Sequence, residues 1–211
     1  MPDGKFITFE GGEGAGKSTQ VRLLAESLRQ SGISVTETRE PGGSPGAEAI
    51  RELLVTGGTD RWSGAAEALL NYAARRDHME RTILPALEQG AWVICDRFAD
   101  STMAYQGYGH QLGADWVTEL HQTVMADFKP DLTLVFDIAP EQGLKRANSR
   151  SDTEDRYERM DAEFHDRLRD GFLKIAAAEP ERCAVLDASG SVEDIQAEIF
   201  LIVRDRLGLD S

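Results

Sequence analysis

Residues 5 to 10, Lys-Phe-Ile-Thr-Phe-Glu, form a short β-rich run that stops at Gly11-Gly12. From Lys17 the apolar positions change to helical spacing, with Val21, Leu24, Ala25 and Leu28 on one face. The pattern predicts a strand feeding a glycine loop that opens a helix. Gly32 stops that helix at a C′ position, and residues 33 to 38 alternate apolar and polar side chains as a second strand would, completing a βαβ unit. In residues 39 to 46 five of eight are Gly or Pro, which predicts an irregular loop or hinge. Helical spacing covers 47 to 55 and 65 to 89, the latter ending at Gly90, and residues 91 to 95 are an unbroken apolar run that suits a strand buried on both faces. A helix-rich stretch at 101 to 127 follows, then a strand at 132 to 137 and a helix from Pro140. After a charged segment at 148 to 156, a helix is expected with Tyr157, Met160, Phe164, Leu168 and Phe172 on one face. A fifth strand at 184 to 186 and a helix at 191 to 207 close the chain.

Five short strands alternating with helices imply an α/β fold: a five-stranded parallel sheet with helices on both faces, because parallel strands need crossover connections. With no repeat and no linker, residues 1 to 211 read as one domain. The binding site is expected at the carboxyl ends of the strands, where residues 11 to 18, 39 to 46 and 96 to 107 fall.

Composition narrows the class. The 211 residues are 41% apolar, and 37 acidic against 23 basic side chains leave a net charge of −14. Disorder is excluded as the main reading, and such an acidic field argues against nucleic-acid binding. Cys95 and Cys183 lie in apolar segments, so no disulfide and a reducing, cytoplasmic setting are expected. Purely aliphatic or aromatic runs such as 199 to 203 reach only five residues, and neither a signal peptide nor a membrane span is expected.

The sequence Gly11-Gly12-Glu13-Gly14-Ala15-Gly16-Lys17-Ser18 matches G-x-x-x-x-G-K-[ST] in the strand, loop and helix context that pattern requires. The glycines turn consecutive backbone N–H groups onto an anion, Lys17 reaches the β- and γ-phosphates, and the Ser18 hydroxyl can ligate Mg²⁺. Nucleoside triphosphate binding follows, but phosphate loops serve many chemistries. No Asn-Lys-x-Asp base-reading motif of a GTPase is present, and 211 residues leave room for little beyond a core and a lid. A small kinase with a small acceptor fits best. Asp96-Arg97 follows the buried run directly, next to that loop. There Arg97 offers a planar fork to an acceptor phosphate, and Asp96 either holds Mg²⁺ through water or orients Arg97.

At this point the residues resemble the bacterial thymidylate kinases, of the P-loop nucleoside monophosphate kinases. The resemblance spans nearly the whole chain and rests on residues 9 to 19, on Arg39-Glu40-Pro41-Gly42-Gly43, on Tyr72-Ala73-Ala74-Arg75, and on Asp96-Arg97-Phe98 running into residues 101 to 107. It implies ATP and Mg²⁺ as phosphoryl donor and metal, dTMP as acceptor, dTDP and ADP as products, and a homodimer. In that likeness Gly11 to Thr19 cradle the triphosphate, and Glu13 lies near the acceptor's 3′-hydroxyl and the metal. Arg97 and Arg51 grip the acceptor phosphate, Arg75 reads the thymine edge beside Thr102 and Gln106, and Tyr105 packs against the deoxyribose. Ser18 and Asp96 serve the metal. The family usually has Phe where this chain has Asn71, which forfeits about 1 kcal/mol of stacking on the base.

No arginine lies between Gly11 and Gly16, so the positive charge that phosphoryl transfer needs beyond Lys17 and Mg²⁺ is expected from elsewhere. The segment from about 145 to 159 carries Lys145, Arg146, Arg150, Arg156 and Arg159 and reads as a lid. Asp155-Arg156-Tyr157-Glu158 resembles the family's lid motif. Arg156 is the expected catalytic arginine with Arg150 second, and Arg146 is expected near adenine. The rivals are a P-loop kinase for another deoxynucleotide or deoxynucleoside, and a nucleotide-dependent regulatory ATPase.

Overall fold

The computed structural model describes residues 4–148 and 155–209. Among these, the five strands β1 (Phe6–Gly11), β2 (Val35–Arg39), β3 (Trp92–Asp96), β4 (Leu132–Asp137) and β5 (Cys183–Asp187) form one parallel sheet in the order β2-β3-β1-β4-β5. Helix α1 (Lys17–Gln30) leaves the central strand and packs with α9 (Val192–Leu207) over one face, where Leu24, Leu28, Ile195, Ile199 and Val203 meet Ile7, Phe9, Leu134 and Phe136. The other face carries α3 (Gly64–His78), α4 (Leu84–Glu88), α5 (Ala99–Thr102), α6 (Ala114–Met125) and α8 (Ala162–Ala178). The strand alternation decides this division: Ile7 and Phe9 point one way, Phe6 and Glu10 the other. α2 (Pro45–Val55) packs on α3, and α7 (Pro140–Ala147) follows β4.

The end of α1 shows how local chemistry sets a boundary. Gly32 takes φ 81°, and the amides of Gly32 and Ile33 donate to the carbonyls of Arg29 and Leu28 at 3.0 Å each, satisfying the last turn. Register then carries the site residues to one edge: Phe9 is level with Asp96, and Gly11 with Phe136.

Four boundaries differ from the sequence pattern. Pro45 and Gly46, read as loop, begin α2, because Pro is tolerated in a first turn and the Ser44 hydroxyl accepts from the Ala47 amide at 3.4 Å. The single helix expected over 65 to 89 is α3 and α4 joined by a π-helical turn, Met79–Ile83, ahead of Pro85, which has no N–H to continue the ladder. The stretch at 101 to 127 is α5, a π segment at Met103–Gly109 and α6, interrupted near Gly113 at φ 91°. The helix expected to include Tyr157 and Met160 starts only at Ala162, because the Asp161 carboxylate caps it by accepting from the Phe164 amide at 2.7 Å. Tyr157 and Met160 still pack on the Phe164, Leu168 and Phe172 cluster. Both cysteines are buried free thiols, and no helix among the described residues is long and apolar enough to cross a membrane.

Candidate active site

The loop from Gly11 to Gly16 and the first turn of α1 border a cleft of about 450 Å³ that also takes in Asp96, Arg97 and Arg51. Gly14, at φ 66°, lies so close to the Gly143 carbonyl of α7 that a Cβ would collide with it, which is why a side chain is not accommodated there. The Lys17 ammonium is buried and donates to the carbonyls of Gly11 at 3.1 Å and Gly12 at 2.7 Å. Burial first, then the Arg97 charge, push it down to about 8 against the pull of Asp96 and Glu13. The Ser18 hydroxyl donates to the Asp96 carboxylate at 2.5 Å, bringing two hard oxygen donors together at the mouth of the loop.

A second cavity of about 120 Å³ opens beside it, lined by Arg75, Asn71, Thr102, Tyr105 and Gln106 and sharing Glu13, Arg51 and Arg97 with the first. Arg97 is the hinge between the two. Its backbone holds φ 69°, its Nη1 donates to the Gly11 carbonyl at 2.8 Å, and its Nη2 donates to Glu13 at 3.1 Å. Tyr105 donates to the same Glu13 oxygen at 2.5 Å, and its ring lies 5.1 Å from the Arg97 guanidinium. Burial by itself would raise Glu13, but Arg97, Lys17 and the Tyr105 hydroxyl outweigh it and hold the carboxyl down at about 2. Glu13 is therefore an anion at neutral pH, clamped between the clefts. Behind them Glu10, fully buried, accepts from the Phe98 amide at 2.7 Å and the Ser101 hydroxyl at 2.6 Å, which ties the corner after β3 to the central strand. Burial, then the Asp100 charge, raise Glu10 to about 7.

Two clefts that meet at Arg97, Arg51 and Glu13 are what a phosphoryl transferase needs, and the comparisons with known proteins agree. The sequence model for thymidylate kinase matches residues 9–199. The chain belongs to the thymidylate kinase family. It is 55% identical to the thymidylate kinase of Caulobacter vibrioides over 209 residues, 99% of this chain and 100% of that one. It is 50% identical to that of Rhizorhabdus wittichii over 98% of this chain and 100% of that one. The crystal structure of the Ehrlichia chaffeensis thymidylate kinase superposes with a TM-score of 0.77 at 36% identity, covering 96% of this chain and 99% of that one.

Within that family frame, Arg75 is almost wholly buried and donates through Nε to Glu40 at 2.7 Å and through Nη2 to the Phe98 carbonyl at 2.9 Å and the Thr102 hydroxyl at 3.0 Å. Arg51 donates to the Pro41 carbonyl at 2.8 Å and faces both clefts. Gln106 donates to Glu67 at 2.9 Å, and Asn71 to the Glu67 carbonyl one turn back on α3 at 2.9 Å. Arg146 lines a neighbouring groove with Gly14, Gly16 and Thr19 and donates to the Ala188 carbonyl at 2.9 Å.

Arg156 departs from the expectation. Its fully buried guanidinium donates to the carbonyls of Gly58 at 2.8 Å, Leu54 at 3.2 Å and Thr59 at 3.0 Å, and pairs with the buried Glu67. A side chain engaged at every nitrogen, away from the phosphate loop, braces the α2–α3 connection and is not a free lid cation. Arg159 likewise donates to the Gly57 carbonyl at 2.6 Å. Arg150 falls outside the described residues.

Sequence reasoning missed Glu10, Glu40 and Glu67 as organising residues. For Glu67 a signal existed: it shares the buried face of α3 with Ala68, Tyr72, Arg75 and His78, where a carboxylate needs a partner. Glu40 carried no comparable pattern, being one acid in an irregular loop.

Proposed function

We propose that the protein is a thymidylate kinase that transfers the γ-phosphoryl group of ATP to dTMP, giving dTDP and ADP. The observation that carries this reading is the meeting of the two clefts at Arg97, Glu13 and Arg51. A donor phosphate chain on the loop and an acceptor phosphate in the smaller cavity then approach end to end, the arrangement in-line transfer requires. The loop amides and Lys17 bind the donor. Arg97 and Arg51 bind the acceptor phosphate, and because its oxygen is already anionic near neutral pH, no strong general base is needed. Glu13 keeps Arg97 aimed, Tyr105 packs against the sugar, and Arg75, Thr102, Gln106 and Asn71 surround the base.

The oxygen donor set of Ser18 and Asp96 fits Mg²⁺, which takes few protein ligands and completes its shell with water and phosphate. When bound, the ion neutralises charge on the phosphates. We assign Arg146 to the adenosine end of the donor, which the groove it lines with Gly14, Gly16 and Thr19 supports; of the lid expected over 145 to 159, residues 149 to 154 lie outside the described residues. A cytoplasmic setting is supported by the two buried free thiols. Exposed Leu53, Leu69 and Trp116 on α2, α3 and α6 support a homodimer, which light scattering would reveal as twice the chain mass.

A coupled assay of ADP release with dTMP, dUMP, dCMP, dGMP and thymidine tests the assignment. The largest stimulation is expected from dTMP. No stimulation by any acceptor would overturn the kinase reading, and a stronger response to another compound would move the acceptor class. Asn71→Phe is expected to lower the Michaelis constant for dTMP roughly fivefold, the equivalent of about 1 kcal/mol of stacking. An unchanged or raised constant would show that this side chain does not lie against the base.

A further inference from the structure

The buried face of α3 carries a polar relay that phosphoryl transfer does not itself require. His78, the last residue of α3, is fully buried. Its Nδ1 donates to Glu40 Oε1 at 2.9 Å, and its Nε2 lies 2.6 Å from the Thr38 hydroxyl on β2. The other oxygen of the same carboxylate, Oε2, accepts from Arg75 Nε at 2.7 Å. Arg75 and His78 stand three residues apart on one helical face, so a single carboxylate from the loop after β2 spans one turn of α3. Immediately beyond His78 the chain enters the π turn Met79–Ile83, an irregularity often kept where a side chain must be aimed.

The Arg75 guanidinium is otherwise committed. Nη2 is engaged by Phe98 and Thr102, and the group sits 4.7 Å from the Tyr72 ring centre and 5.2 Å from that of Phe98. Nη1 is the exception: it is buried with no hydrogen-bond partner among the described residues, in a side chain that lines the acceptor cavity. A buried donor left without a partner is costly unless a ligand satisfies it.

We propose that His78 is a positioning residue for acceptor recognition: through Glu40 it fixes Arg75 in the orientation that keeps Nη1 for the acceptor base. Carboxylates prefer to grip a guanidinium with both oxygens. By occupying Oε1, His78 leaves Glu40 only one oxygen for Arg75. Without the imidazole the carboxylate turns, closes a two-oxygen fork on Arg75, competes with Phe98 and Thr102 for Nη2, and draws Nη1 from its place. Thr38 completes the relay by holding the ring. This inference rests on the dTMP reading above.

Steady-state kinetics on the full-length protein separate aim from fold. His78→Leu removes the donor, and His78→Asn restores an N–H close to the position of Nδ1. Thr38→Val, nearly isosteric, frees the ring and keeps the imidazole. His78→Leu is expected to raise the Michaelis constant for dTMP about tenfold, with that for ATP changed by less than about twofold. His78→Asn is expected to recover most of the loss, and Thr38→Val to raise the dTMP constant about threefold. Equal rises for dTMP and ATP, no rise for dTMP, or Asn performing no better than Leu would each overturn the proposal. Should His78→Leu fail to fold, Thr38→Val and His78→Asn carry the same comparison. Absence of dTMP-stimulated ADP release in the unmutated protein would instead sink the thymidylate reading before any variant is compared.

Discussion

Replacing Arg97 with alanine is expected to lower kcat/KM for dTMP by about 10³-fold or more, the scale on which losing a charge-stabilising group at a transferring phosphoryl is felt. Arg97 is only 16% exposed and is held at three points, by the Gly11 carbonyl, the Glu13 carboxylate and the Ser101 hydroxyl. It is thus already aimed before substrate arrives, and little reorganisation remains to be made at the moment of transfer. The same substitution releases Glu13, whose carboxyl Arg97 helps to keep ionised, so the acceptor cavity loses one of its cations and its ordered anion together. Arg97→Lys is expected to recover only part of the rate, because an ammonium cannot reproduce the planar fork. Kinetics on folded protein, checked by thermal melting, decide the matter. Turnover within about tenfold of the unmutated enzyme would reduce Arg97 to a structural tie.

Arg156→Ala is expected to act mainly on stability. The guanidinium and Glu67 are both fully buried, and removing one partner strands the other charge, a loss of about 3–5 kcal/mol. For a chain of this size that lowers the melting temperature by roughly 10 °C. Turnover per folded molecule, measured well below the new melting point, is expected to fall far less than 10³-fold. Glu67 also holds Gln106 and Tyr157, so a modest rise in the dTMP Michaelis constant is expected through Gln106. An unchanged melting temperature with a 10³-fold loss of turnover would restore the catalytic role that the position within the Asp-Arg-Tyr-Glu motif suggests.

These two arginines show where sequence reading succeeds and where it stops. Arg97 was legible because it follows a buried apolar strand by one residue, and in a parallel sheet that position faces the phosphate loop. For Arg156 the motif names a cation but not the carbonyls it meets, which lie about one hundred residues earlier in the chain. The misplaced start of α8 has a related cause: helical spacing of Tyr157 and Met160 with Phe164 reflects packing on one cluster, which a turn followed by a capped helix achieves as well as a longer helix does.

The order of strands and helices, the phosphate loop and the Asp96-Arg97 corner were determined by the sequence itself. Their causes are local: apolar period, glycine conformation, helix caps and backbone amides act within a few residues. Only the tertiary structure decided which charge meets which. Glu40 finds Arg75 and His78, and Glu67 finds Arg156, across separations of 35, 38 and 89 residues. Burial forces each such group to take a partner, but the choice among partners belongs to the packing of distant elements, and no local pattern encodes it.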